Sequence, residues 1–208
     1  MHASYTHDMT MKNARDRYFE ANGFGADGGY NDAWVDFKLG PVPFPFPNTA
    51  SRVVAVKFHD LHHILTGYET NPVGEFEISA WEIAGGCERL AAAWVLNLSG
   101  MAAGLLVAPR RIFNAFVRGR RGRNLYREPF APLLDATVGE LRATFISNDE
   151  RPATAREIAA FGAAAVAGAA VGIVLMAVVL PLMPIGLVTN WLKRRTERAK
   201  HAAHGSAA

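Results

Sequence analysis

The sequence holds one cysteine, Cys87, in 208 residues. That excludes an internal disulfide and a metal site built from clustered cysteines. Charge is missing from two long stretches, residues 158–192 (35 residues) and 90–109 (20 residues). About 20 apolar residues cross a bilayer, whereas a core helix usually keeps one wet face. We therefore read 158–192 as membrane-inserted. The first twenty residues contain neither an apolar core nor a small-residue cleavage site, so no secretory signal is expected. Half of the chain is hydrophobic and a fifth is charged, a balance that excludes a disordered protein.

The charges are unevenly placed. Residues 1–89 carry 7 basic and 12 acidic groups, residues 90–157 carry 10 and 6, and residues 158–208 carry 5 and 1. A basic rear suits an anionic membrane surface. Six arginines (Arg110, Arg111, Arg118, Arg120, Arg121 and Arg123) follow the shorter apolar stretch. They suit lipid phosphates, a solvated face or an anionic substrate. Without interleaved aromatics or a recognisable module, nucleic acid is not an expected partner. A second basic cluster, KRRTERAK, follows residue 192. If both clusters stay on one side of the membrane, residues 158–192 form a hairpin; otherwise they form one span and one cluster breaks the rule. Pro181 and Pro184 predict a kink, and Gly168 with Gly172 gives a small-residue spacing compatible with a homodimer.

The remaining pattern predicts a mainly α fold. A first helix covers residues 10–22. GFGADGG at 23–29 matches a dinucleotide fingerprint in letters only, because no strand precedes it, and reads as a loop. Residues 34–47, rich in proline, predict a short extended or hairpin element near the N-terminus. Asn48 is the expected N-cap of a helix over 49–66 stopped by Gly67. The next helix starts at Asn71-Pro72 and ends at Gly85-Gly86. Thr137 with Glu140, and Thr154 with Glu157, match capping boxes. The expected organisation is a helical metal-binding domain at 1–147, a linker at 148–157, a membrane segment at 158–192 and a tail at 193–208, first basic and then disordered.

Candidate chemistry is concentrated in KFHDLHHILTGYETNPVGEFE. On a helix His59 and His63 are four apart and share a face, the spacing at which two imidazoles hold one metal. Asp60 flanks that face, either as a ligand or orienting an imidazole. Glu75 opens the following helix, which returns antiparallel. Two histidines and one or two carboxylates suit zinc, iron or manganese. His59, His62 and His63 also spell HxxHH, but the other histidines lie in the tails and cannot complete a diiron desaturase set. His62 is therefore expected beside the ligands rather than among them.

His59, Asp60, His63 and Glu75, spaced HDxxHx(11)E, resemble the motif of the coenzyme Q (ubiquinone) biosynthesis protein four family. HHILTGY, Gly74-Glu75, RGRRGRNLY and LDATVGELR extend the similarity over roughly residues 12–147. The resemblance implies that His59, Asp60, His63 and Glu75 bind a divalent metal. It also implies a membrane-associated helical protein at the inner face of a ubiquinone-making membrane, the cytoplasmic face if bacterial, partnered by a prenylated quinone precursor or other isoprenoid lipid. The implied activity is oxidative decarboxylation of a prenylated hydroxybenzoate ring. The alternative is a non-catalytic prenyl-lipid-binding scaffold that organises other quinone-biosynthesis proteins. The apolar segment 158–192 departs from the family pattern.

Overall fold

A computed structural model describes residues 5–32, 34–39, 42–177 and 180–181. The expected tail at 193–208, the Pro184 kink and the choice between span and hairpin lie outside the described residues. The elements are α1 (Met11–Asn22), β1 (Trp34–Leu39), β2 (Val42–Pro47), α2 (Ala50–Thr66), α3 (Pro72–Gly85), α4 (Ala91–Val107), α5 (Pro109–Arg121), α6 (Phe130–Asp135), α7 (Val138–Phe145) and α8 (Ala155–Ala177). The protein is mainly helical, with one long apolar helix near its C-terminus. It divides into two units, residues 1–31 with 49–173, and residues 32–48 with 174–208. In the second unit β1 and β2 pair antiparallel, Trp34 opposite Pro47 and Leu39 opposite Val42.

In the first unit α3 is the central helix, packed against α4 and α5. Its Ile78, Ala80 and Trp81 are almost wholly buried, with Leu61 and Ile64 of α2, Met101 of α4 and Ile112 of α5. Backbones meet where α5 crosses α3: a Cβ on Gly119 would lie 2.3 Å from the Trp81 carbonyl oxygen. Helix ends follow the capping rules. Asn71 accepts from the Gly74 amide at 2.9 Å with Pro72 in the first turn, and Thr137 and Glu140 form a reciprocal capping box. The cap of α2 falls one residue later than expected. Thr49 accepts from Arg52 N, while the Asn48 amide donates to the Asp32 carbonyl.

The arginine run is drawn largely into the fold. Arg111 forks onto Glu77 at 2.9 and 2.6 Å. Arg118 donates to the Thr66 carbonyl at 3.0 Å, at the carbonyl-rich end of α2 that favours a cation, and covers the Tyr68 ring. Arg121, almost fully buried, forks onto Glu157 at 2.8 and 3.1 Å. It also donates to the carbonyls of Asp149, Arg151 and Pro152. Residues 148–157, expected as a linker, are thus tied to α5, and α8 already begins at Ala155. Phe161 of α8 meets the rings of Phe113 and Phe116 edge-on. Further along, a Cβ on Gly168 would lie 2.6 Å from the Leu98 carbonyl oxygen of α4. The first turns of α8 therefore belong to the same compact unit as α4 and α5, which extends past the boundary at 147 that the sequence suggests.

Candidate metal centre

Helix α2 carries His59, Asp60, His62 and His63, and the five-residue return after Thr66 brings Glu75 of α3 back over them. Gly74 permits that return, since a Cβ there would lie 2.1 Å from the Glu69 carbonyl oxygen. His59 Nε2 lies 3.2 Å from His63 Nε2 and 3.2 Å from Glu75 Oε2, and His63 Nε2 lies 3.3 Å from Glu75 Oε1. Ligands held about 2.0–2.1 Å from a tetrahedral metal stand about 3.3–3.4 Å apart, so these separations match the edges of such a site.

The second nitrogen of each ring decides which atom faces the cluster. His63 Nδ1 is 2.9 Å from the Tyr68 carbonyl oxygen. A carbonyl only accepts, so Nδ1 carries the proton and Nε2 keeps its lone pair. His59 Nδ1 is 2.9 Å from Glu82 Oε1, which fixes the same tautomer. The Nε2 atoms of two imidazoles and a carboxylate thus converge. Burial opposes protonation of His59, yet Glu82 and Glu75 outweigh it and lift its pKa well above the ordinary range. The carboxylates demand positive charge at this point, and a proton or a divalent ion answers that demand.

Glu82, which sequence reasoning missed, anchors the arrangement. It is fully buried. Its Oε1 accepts from His59 and, at 2.7 Å, from His62 Nδ1; its Oε2 accepts from Asn97 Nδ2 and the Tyr126 hydroxyl. Burial alone would raise its pKa, but His59 and His62 bring it below the ordinary glutamate range. His62 Nε2 accepts from the Leu125 amide at 2.9 Å. This fixes His62 as a neutral Nδ1–H donor, and burial lowers its pKa accordingly. His62 thus stands beside the converging trio and links α2 to the segment after α5. The available signal for Glu82 was its position seven residues after Glu75, which puts both on one face of α3.

Asp60 is buried, but it is not among the three converging groups. The Tyr30 hydroxyl donates to its Oδ2 at 2.5 Å. Burial pushes its pKa up to about 6 against the opposing pull of Tyr30, His59 and His63. The GFGADGG loop that delivers Tyr30 turns through glycines of positive φ. Tyr18 stacks on His63 with ring centroids 5.6 Å apart, closing that side. The cluster reaches solvent through Glu75, whose side chain is 41% exposed, and His59, 22% exposed, against 1% for His63. Cys87 is buried, and burial raises its thiol to about 12, so it is no nucleophile.

The chemistry follows from this arrangement. Three donors with orientation imposed by Glu82 and the Tyr68 carbonyl fit a divalent ion and leave one side for a further ligand. No protein-family model, curated protein or solved structure matches the chain.

Proposed function

We propose that the protein is a membrane-associated, metal-dependent enzyme of quinone synthesis that acts on a prenylated hydroxybenzoate ring. The observation that carries this reading is the convergence of His59 Nε2, His63 Nε2 and Glu75 on one point that reaches solvent through Glu75 and His59. The donor set suits zinc, iron or manganese, and oxidative chemistry favours iron or manganese because zinc is redox-inert. A bound metal would supply positive charge to polarise the ring carboxylate. His59 and His63 would hold it through neutral nitrogens, Glu75 would offset part of its charge, and Glu82 keeps His59 Nδ1 engaged so that Nε2 faces the cluster. In the proposed reaction the ring carboxylate leaves as carbon dioxide and a hydroxyl takes its place. One dioxygen is consumed with two electrons from an external donor and three protons, and its second oxygen leaves as water. The helix Ala155–Ala177, 23 residues long and apolar, supports membrane association; residence at the inner face follows from the family resemblance.

The competing reading is the prenyl-lipid-binding scaffold. Glu75→Gln keeps size and one acceptor oxygen but removes the charge. Expressed in cells lacking their own protein of this function, it should yield little or no quinone while the purified variant stays helical. Normal quinone from a folded, metal-poor variant would overturn the enzyme reading in favour of the scaffold.

A further inference from the structure

Helix α4 presents an outer face built like a lipid-exposed helix. Trp94, Val95, Leu96, Leu106 and Val107 are exposed, Leu106 by 89%. No charge occurs from residue 90 to 109; Glu88-Arg89 precede this stretch and Arg110-Arg111 follow it. The 17 residues of α4 rise about 25 Å, a little less than the hydrocarbon thickness of a bilayer. The polar atoms on this face are satisfied internally, as hydrocarbon requires. Ser99 Oγ donates to the Val95 carbonyl at 2.8 Å, and Trp94 Nε1 to the Glu88 carbonyl at 3.0 Å. The one buried amide of the helix, Asn97, turns inward to Glu82.

The face is continuous with that of α8. The two helices touch backbone to side chain where Gly168 meets Leu98 and Ala102, and Ile158, Val166 and Ile173 of α8 are exposed. On its inner side α4 packs on α3 through Gly100 against Ser79 and Gly104 against Phe76, the residue after Glu75. Helix α3, which carries Glu75, is thus the next layer inward from α4, at the roughly 8–10 Å interaxial spacing of packed helices.

We infer that bilayer hydrocarbon covers α4 as well as α8, the two forming one lipid-embedded surface immediately behind the metal ligands. The inference rests on the membrane reading of α8 and goes beyond it. A head group whose apolar tail stays in the bilayer then has only one helix layer to pass to reach the Glu75 side.

The test uses the full-length chain in vesicles of phosphatidylcholine and phosphatidylglycerol. Spin labels are attached singly through Leu96→Cys, Leu106→Cys, Ile173→Cys and the water-facing control Glu20→Cys; buried Cys87 stays unlabelled. Collisions with oxygen, which concentrates in lipid, are compared with those of a water-soluble nickel chelate. The expected result is a severalfold higher oxygen-to-nickel ratio at 96, 106 and 173 than at 20. A lipid signature at 173 with a control-like ratio at 96 and 106 overturns the inference and spares the α8 reading. Control-like ratios at all three overturn both. Spin–spin broadening at 96 and 106 that vanishes on dilution with unlabelled protein assigns the face to a second copy and also overturns it.

Discussion

Glu82 and His62 contribute to the site without joining the converging trio. Glu82→Gln keeps the side-chain shape but weakens the acceptor that holds His59 Nδ1–H. We expect metal affinity to fall about 10–100-fold, as is typical when a partner of a metal-bound histidine is lost. A competition titration against a chelating dye would measure it, with circular dichroism to establish folding; unchanged affinity in a folded variant would refute the orienting role. His62→Ala should behave differently. It strands the Leu125 amide and leaves a cavity among Trp81, Tyr126 and Glu82. The expected cost is roughly 2–4 kcal/mol of stability, with metal stoichiometry per folded molecule retained. His59→Ala and His63→Ala should lose most of the metal, because each deletes a nitrogen whose lone pair faces the cluster. Elemental analysis of the three variants separates these outcomes.

Among the elements, α8 is fastened twice. At its start Glu157 is held below its ordinary value of 4.5, first by the Arg121 hydrogen bonds and then by the Thr154 amide. A carboxylate with a depressed folded pKa adds stability that is fully present above its unfolded value and lost as pH falls toward the folded one. In detergent, Glu157→Gln should therefore lower Tm at neutral pH, and the difference from wild type should close in acid below the ordinary glutamate range. Further along, Gly168 lies so close to the Leu98 carbonyl that any side chain must push the helices apart, whereas a Cβ on Gly172 meets nothing within 4 Å. Gly168→Val should lower Tm and Gly172→Val should leave it nearly unchanged. The small-residue spacing read as compatible with a homodimer is thus half consumed within the chain itself.

For the whole molecule, the proposed metal and membrane would both bear on the compact unit of residues 1–31 and 49–173. Metal that binds only the folded state at a hundred times its Kd should stabilise by about 2.7 kcal/mol, a Tm rise of roughly 5–10 °C at this size. Chelator should reverse it, and the Glu75→Gln protein should show much less of the shift. Truncation after Arg156 should reduce the share of protein that resists carbonate extraction, with the apolar face of α4 holding the rest. Insertion of an apolar helix resists salt and carbonate, whereas electrostatic attachment is screened by salt. A full-length protein that carbonate releases would refute insertion.

The sequence alone determined the local features. Capping residues and Gly-Pro punctuation act within a few residues, so the bounds of α1, α3 and α7, the Gly67 stop of α2 and the capping box of α8 were legible. The four-residue spacing of His59 and His63 was legible for the same reason, because helix geometry places them together whatever surrounds the helix. The tertiary structure decided what depends on other elements. It drew Glu75 onto the histidines through the tight return at Gly74, while Asp60 of the same motif was taken up by Tyr30 from a distant loop. It set Glu82 behind His59 and His62, and it turned Arg111, Arg118 and Arg121 toward carbonyls and carboxylates inside the fold. Packing around α3 also left the outer faces of α4 and α8 uncovered. Hydrogen-bond partners far apart in sequence carry no periodicity that a linear pattern can register, so those assignments waited on the packed chain.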